Sequence, residues 1–137
     1  MRRMSLLIAV VALGSCSTTP QEASYDARGE ARLQQALAGK VAGKAMDCLP
    51  TYRSADMIRV DDDTLLFRDG ANRVYRNELN GSCSGIGSSN YALVTNSFGG
   101  SGRICRGDIA KVVDLAAGFT VGSCVIGEFV PYSKPAA

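Results

Sequence analysis

Two hydrophobic periods divide this chain. Between residues 24 and 43, apolar side chains recur every fourth position, at Leu33, Leu37 and Val41, among Ala, Arg and Gln. That spacing predicts a helix with one narrow apolar stripe. Ser24 suits its N-cap, Asp26 its first turn, and Gly39 and Gly43 its stop. From 46 to 132 the period falls to two. Ala55–Val60 sets Met57 and Arg59 against Ile58 and Val60; Thr64–Arg68 puts Leu65 and Phe67 on one face; Arg73–Asn77 sends Val74 and Tyr75 to opposite sides. Further strands are predicted at Tyr91–Thr95, Ile109–Leu115, Phe119–Val121 and Cys124–Val130, the last ended by Pro131. Asp61–Asp63 reads as a turn and Asp69-Gly70-Ala71-Asn72 as a hairpin connection. Gly/Ser-rich residues 80–90, the Gly-rich run 98–102 and Gly118 break the chain between strands. The expected fold is mainly β: a small antiparallel β-barrel or sandwich, a barrel by preference, with one N-terminal helix. Residues 133–137 read as a disordered tail.

The first fifteen residues follow a different logic. Arg2 and Arg3 precede the apolar run Leu6–Leu13, which ends in Leu13-Gly14-Ser15-Cys16. Positive, then apolar, then small is the order of a signal peptide, and the run is too short to span a bilayer. The last four residues resemble the lipobox of bacterial lipoproteins, in which the cysteine is acylated and becomes the new N-terminus. That resemblance implies a palmitate-type anchor at Cys16. Ser17, rather than Asp, resembles the sorting signal for the outer membrane, implying its inner leaflet, facing the periplasm. Polar residues 16–23 then read as a flexible tether.

Removing residues 1–15 from the 137 leaves 122, one domain's worth. Two of the 15 basic residues leave with the leader, so 13 stand against 13 acidic ones. The balance argues against nucleic acid as a partner. The chain has no histidine, which excludes the ordinary Ser-His-Asp and Cys-His catalytic arrangements. An enzyme is therefore not expected, though Ser-Lys or carboxylate-pair hydrolysis stays open as an alternative. No cofactor is expected either: Gly85-x-Gly87 lacks the later glycine of a dinucleotide fingerprint and the lysine of a P-loop.

With Cys16 acylated, Cys48, Cys83, Cys105 and Cys124 remain. An even number in an exported chain reads as two disulfides, and four cysteines allow three pairings. Cys83 with Cys105 and Cys48 with Cys124 is the preferred pairing. The first would close the Gly/Ser-rich segment, and the second would tie the start of the domain to its last strand. A zinc site is disfavoured, because no close Cys-x-x-Cys pair or histidine is present. The Asp61–Asp63 run lacks the alternation of an EF-hand loop, so no metal is expected.

From Cys48-Leu49-Pro50, through Ile58-Arg59-Val60, Leu65-Leu66-Phe67-Arg68, Tyr75-Arg76-Asn77, Leu79 and Cys83, to Cys105-x-x-Asp108 and Cys124-x-x-Gly127-x-Phe129, the chain resembles a family of small exported proteobacterial proteins known as a domain of unknown function. The resemblance implies four paired cysteines and an envelope location, and it implies no activity. Candidate binding residues are Arg59, Arg68, Tyr75, Arg76 and Asp108. Arginines on strands beside a tyrosine suit bidentate recognition of a carboxylate or phosphate. The competing reading is solvated strand faces with cross-strand charge pairs, and a turn cap for Asp108. The expected function is a lipid-anchored binding or structural module of the cell envelope, with an envelope protein as partner. The alternative is an inhibitor of an envelope or host hydrolase such as lysozyme, an analogy from architecture.

Overall fold

The computed structural model describes residues 20–50, 57–81, 83–96 and 102–136, with side chains from residue 27 onward. The expected leader, Cys16, the start of the expected tether and most of the 98–102 turn lie outside the described residues. The elements are α1 (Pro20–Leu37), β1 (Val41–Ala42), β2 (Met57–Arg59), β3 (Thr64–Asp69), β4 (Arg73–Glu78), β5 (Tyr91–Asn96), β6 (Ile109–Asp114), β7 (Thr120–Val125) and β8 (Phe129–Ser133). They form two antiparallel sheets, ordered β1-β8-β4-β3-β2 and β5-β6-β7.

Alternation along β3 and β4 produces three layers. Leu65, Phe67 and Tyr75 point inward and join Phe129 from β8 with Ala110, Val112 and Cys124 from the three-stranded sheet. Phe67 and Phe129 meet edge to face, with ring centroids 5.7 Å apart. Leu66 and Val74 point the other way and pack with Val60 and Ala36, flanked by Leu33, Leu37 and Ile58. The helix therefore covers the outer face of the five-stranded sheet, through the stripe that its spacing predicts. Gly29 sets how closely α1 approaches, because a Cβ there would overlap the Val60 carbonyl oxygen. A mid-helix glycine costs about 1 kcal/mol relative to alanine, and here that close packing offsets it.

Four expectations are corrected. The sheets do not close into a barrel. The outer strands β1 and β2 hold two and three residues, and the bridges Cys48↔Cys105 and Asn80↔Val125 join the parts locally; period-2 patterning marks faces but says nothing of closure. The helix starts at Pro20, inside the expected tether, where proline suits a first turn, and it stops at Leu37. Val41 leaves the stripe to pair with Ser133 at the sheet edge, 64% exposed.

The third correction is that Pro131 lies within β8, opposite Tyr75. Its carbonyl accepts from Gly43 N at 2.7 Å, so its missing N–H also faces the short edge and leaves the β4 ladder intact. The strand thus continues to Ser133, and Lys134 N donates to Asn72 O at 3.0 Å, so the predicted tail begins later.

The fourth concerns the disulfides. They join Cys48 to Cys105 and Cys83 to Cys124, not the preferred pairs. Backbone pairing decides this. Leu49 N donates to Ile104 O and Arg106 N to Asp47 O, which sets Cys48 beside Cys105. Asn80 and Val125 exchange two hydrogen bonds, which brings the Cys83 loop onto β7. Loop length in sequence carries no such information.

Candidate functional site

Where α1 does not cover the five-stranded sheet, its outer face stays open. Arg76 and Glu78 on β4 and Val130 and Tyr132 on β8 line a hollow of about 390 Å³, walled by Asn80, Arg106, Gly127 and Glu128. Arg76 stands opposite Val130, and Val74 opposite Tyr132, so these side chains share one face. The volume falls within the usual range of small-ligand clefts, but this hollow is more polar than most.

Its charges are paired across the rim. Arg76 Nη2 donates to Glu78 Oε1 at 2.5 Å. Arg106 sends Nη1 to Glu128 Oε1 at 2.5 Å and holds Asp47 through Nε at 3.3 Å. Within the hollow two guanidinium groups thus face two carboxylates, which gives it no excess of either sign. Arg76 Nε is buried and has no hydrogen-bond partner. Such a donor costs about 1–3 kcal/mol, which offsets what the Glu78 ion pair contributes to stability.

The back wall rests on a residue that the sequence pattern did not single out as functional. Asn77 on β4 is fully buried. Its Nδ2 donates to Gly127 O at 2.9 Å and Glu128 O at 3.1 Å, and its Oδ1 accepts from Gly127 N at 3.3 Å. A Cβ at Gly127 would overlap the Glu78 carbonyl oxygen, so only glycine lets the wall pass this close to β4. The two residues lock the Gly127–Glu128 segment over the end of β4.

The structure does not gather the five predicted site residues. Of them, only Arg76 lines the hollow. Arg59 donates Nη1 to Ser88 O at 3.3 Å and Tyr91 O at 2.9 Å, tying β2 to the start of β5. Arg68 shares the outer face with Arg76, but it lies at the far end beside Lys40 and Gly70. Arg68 pairs with Val74 and Arg76 with Leu66, so the two arginines are diagonal neighbours, but they line different hollows. Tyr75 points into the inner core, 2% exposed, with its hydroxyl 3.5 Å from Asp69 Oδ2 and from Arg73 Nη1. That hydroxyl, with Asp69 behind it, holds the exposed Arg73 guanidinium above its ordinary pKa. Asp108 caps its turn, accepting from Cys105 N at 2.8 Å, as the turn-cap reading has it.

Asp61 accepts from Asp63 N and Asp62 from Gly85 N, so the acidic run is engaged in a turn and its neighbouring loop. Among the described residues no three His, Cys, Asp or Glu side chains are placed to hold a metal ion.

Arg106, Glu128, Asn80 and Tyr132 escaped the sequence reading because they come from four separate segments. A signal did exist. Arg106 sits inside Cys105-x-x-Asp108, and Glu128 sits between the Gly127 and Phe129 of Cys124-x-x-Gly127-x-Phe129. One unspecified position of each motif, Arg106 in the first and Glu128 in the second, lines the hollow.

Arg76→Leu should leave stability within about 1 kcal/mol of the parent in urea unfolding. The loss of a half-exposed ion pair, worth roughly 0–1 kcal/mol, is offset by removal of the unpartnered buried donor. A loss well above 2 kcal/mol would assign Arg76 a structural role instead.

Comparison with protein-family models, with curated proteins and with solved structures finds no match to this chain.

Proposed function

We propose that this chain is a lipid-anchored module of the bacterial cell envelope that binds an envelope partner through the Arg76–Arg106 hollow and catalyses no reaction. The observation that carries the proposal is the order of residues 2–16: two arginines, a short apolar run, then Leu13-Gly14-Ser15-Cys16. Two disulfides accord with it, since such bonds persist in oxidising compartments. So does the likeness of the Cys48–Phe129 segment to small exported proteobacterial proteins. Acylation at Cys16 would hold the domain at the inner leaflet of the outer membrane. A single acyl chain anchors only marginally, so stable attachment takes more than one.

The hollow favours a ligand that presents donors and acceptors together. Arg76 and Arg106 can each turn a guanidinium edge toward a carboxylate or carbonyl. Glu78 and Glu128 accept from amides, hydroxyls or ammonium groups, and Asn80 can do either. A peptide segment of mixed charge satisfies that set better than a simple anion, which the carboxylates would repel.

Two measurements test the proposal. Radiolabelled palmitate should enter the exported protein and fail to enter Cys16→Ala; equal labelling ends the anchor reading. Crosslinking in intact envelopes should capture a discrete partner with the parent chain. Capture should fall by tenfold or more in the Arg76→Leu, Arg106→Leu double variant, and undiminished capture would remove the hollow from the proposal.

A further inference from the structure

The three-stranded sheet has an outer face that nothing in the described structure covers. Leu93 and Val112 point inward, so their neighbours point out. Across the face run Val94, Lys111, Val121 and Val125. Val94 and Val121 are each 44% exposed, and Lys111 is the one charged side chain among these four. The β6–β7 connection extends the patch. Leu115-Ala116-Ala117-Gly118-Phe119 is exposed throughout, with Leu115 at 62% and Phe119 at 59%. Five uncharged residues form this tip, and the nearest carboxylate is occupied, since Asp114 Oδ1 accepts from Ala116 N and Ala117 N. An exposed apolar patch of this kind marks an interaction surface.

The position of the chain's start says what meets it. α1 runs from Gly29 beside Val60 to Ala36 beside Val74, so its first residues extend past the Asp61–Asp63 end of the sheet. The nine residues ahead of Gly29 add about 14 Å of helix. The hairpin tip lies toward that same end. Leu115 N donates to Asn90 O, while Arg59, one residue from Val60, holds the flanking Ser88 and Tyr91 carbonyls. Cys16 precedes Pro20 by four residues, a reach of at most about 14 Å.

We infer that the Leu115–Phe119 tip and the adjoining sheet face rest on the lipid surface that carries the Cys16 anchor, with Phe119 and Leu115 entering the acyl boundary and Lys111 meeting anionic headgroups. The inference rests on the anchor reading above. It adds that the domain has a fixed face toward the bilayer, with the Arg76–Arg106 hollow on the outer face of the other sheet. A flexible tether alone would leave the domain free to rotate.

The chain contains no tryptophan, so Phe119→Trp introduces a single indole. With vesicles of phosphatidylethanolamine and phosphatidylglycerol, its emission should move to shorter wavelength and be quenched by brominated acyl chains. A Lys134→Trp control, beside the Asn72 turn at the other end of β4, should do neither. In the unacylated Cys16→Ala chain, Leu115→Ser with Phe119→Ser should lower vesicle partitioning by at least about tenfold. Palmitate incorporation with an unshifted position-119 indole overturns the inference and spares the anchor. A shifted indole without palmitate incorporation does the reverse. A shift that grows with protein concentration in the absence of lipid overturns the inference in favour of a second copy of the chain.

Discussion

Replacing Cys83 and Cys124 together by alanine should lower stability by about 4 kcal/mol or more in urea unfolding. The two cysteines lie 41 residues apart, and the chain-entropy model assigns such a cross-link about 4 kcal/mol. For Cys48–Cys105, whose partners lie 57 residues apart, the same model gives only about 0.3 kcal/mol more, because the dependence is logarithmic. Burial reverses that order. Cys83 is fully buried and Cys124 is 3% exposed, both inside the main core, whereas Cys48 and Cys105 are half-buried. Each alanine in the core also leaves a cavity, which adds its own cost. The Cys83–Cys124 pair should therefore prove the more damaging to remove. A single domain holds only about 5–15 kcal/mol in total, so the loss should be evident as a large drop in the unfolding midpoint. A non-reduced digest should yield one peptide pair linking Cys48 to Cys105 and another linking Cys83 to Cys124. Equal destabilisation by the two double variants would show that burial of the sulfurs adds nothing to the entropic effect.

Asn77→Leu should cost about 3 kcal/mol or more, although it exchanges a polar core residue for an apolar one of similar size. The amide makes three hydrogen bonds to the Gly127–Glu128 backbone. Leucine would leave the buried Gly127 N–H and its carbonyl without that partner, at about 1–3 kcal/mol for each group left unsatisfied. Asn77→Asp tests the donor side separately. It keeps the acceptor, loses the two N–H donors and buries a charge, which raises the folded-state pKa of the new carboxyl. A raised carboxyl pKa destabilises above the unfolded value, so this variant should recover stability as pH falls, when the protonated acid donates one of the lost bonds. The Leu variant should show no such recovery. Both should loosen the wall of the hollow, so partner capture should fall with them. If Asn77→Leu unfolds like the parent, the Gly127–Glu128 segment is held by something other than this amide.

The alternation at Leu65-Leu66-Phe67 and at Val74-Tyr75 placed each side chain on its observed face, because a strand's period of two leaves no other arrangement. The Asp69–Asn72 hairpin was legible for the same local reason: its turn lies between two such strands. Val41 misled, since a fourth-residue spacing suits a helix but does not forbid an edge strand once Gly39 has ended the helix. Pro131 misled in the same way. Whether a proline breaks a strand depends on which neighbour its nitrogen faces, and that is a fact of the sheet. Among the candidate site residues, Arg76 and Tyr75 looked like partners because they are adjacent in sequence, which on a strand puts them on opposite faces.

Sequence by itself determined the β character of the domain, the helix stripe of Leu33 and Leu37, and the even complement of cysteines after Cys16, since each depends on residues near one another along the chain. Tertiary structure alone decided which cysteines meet, that the sheets stay open, and that Arg76, Arg106 and Glu128 share one hollow. Those outcomes follow from which strand edges find each other across 40 to 60 residues, and local periodicity holds no information about that choice.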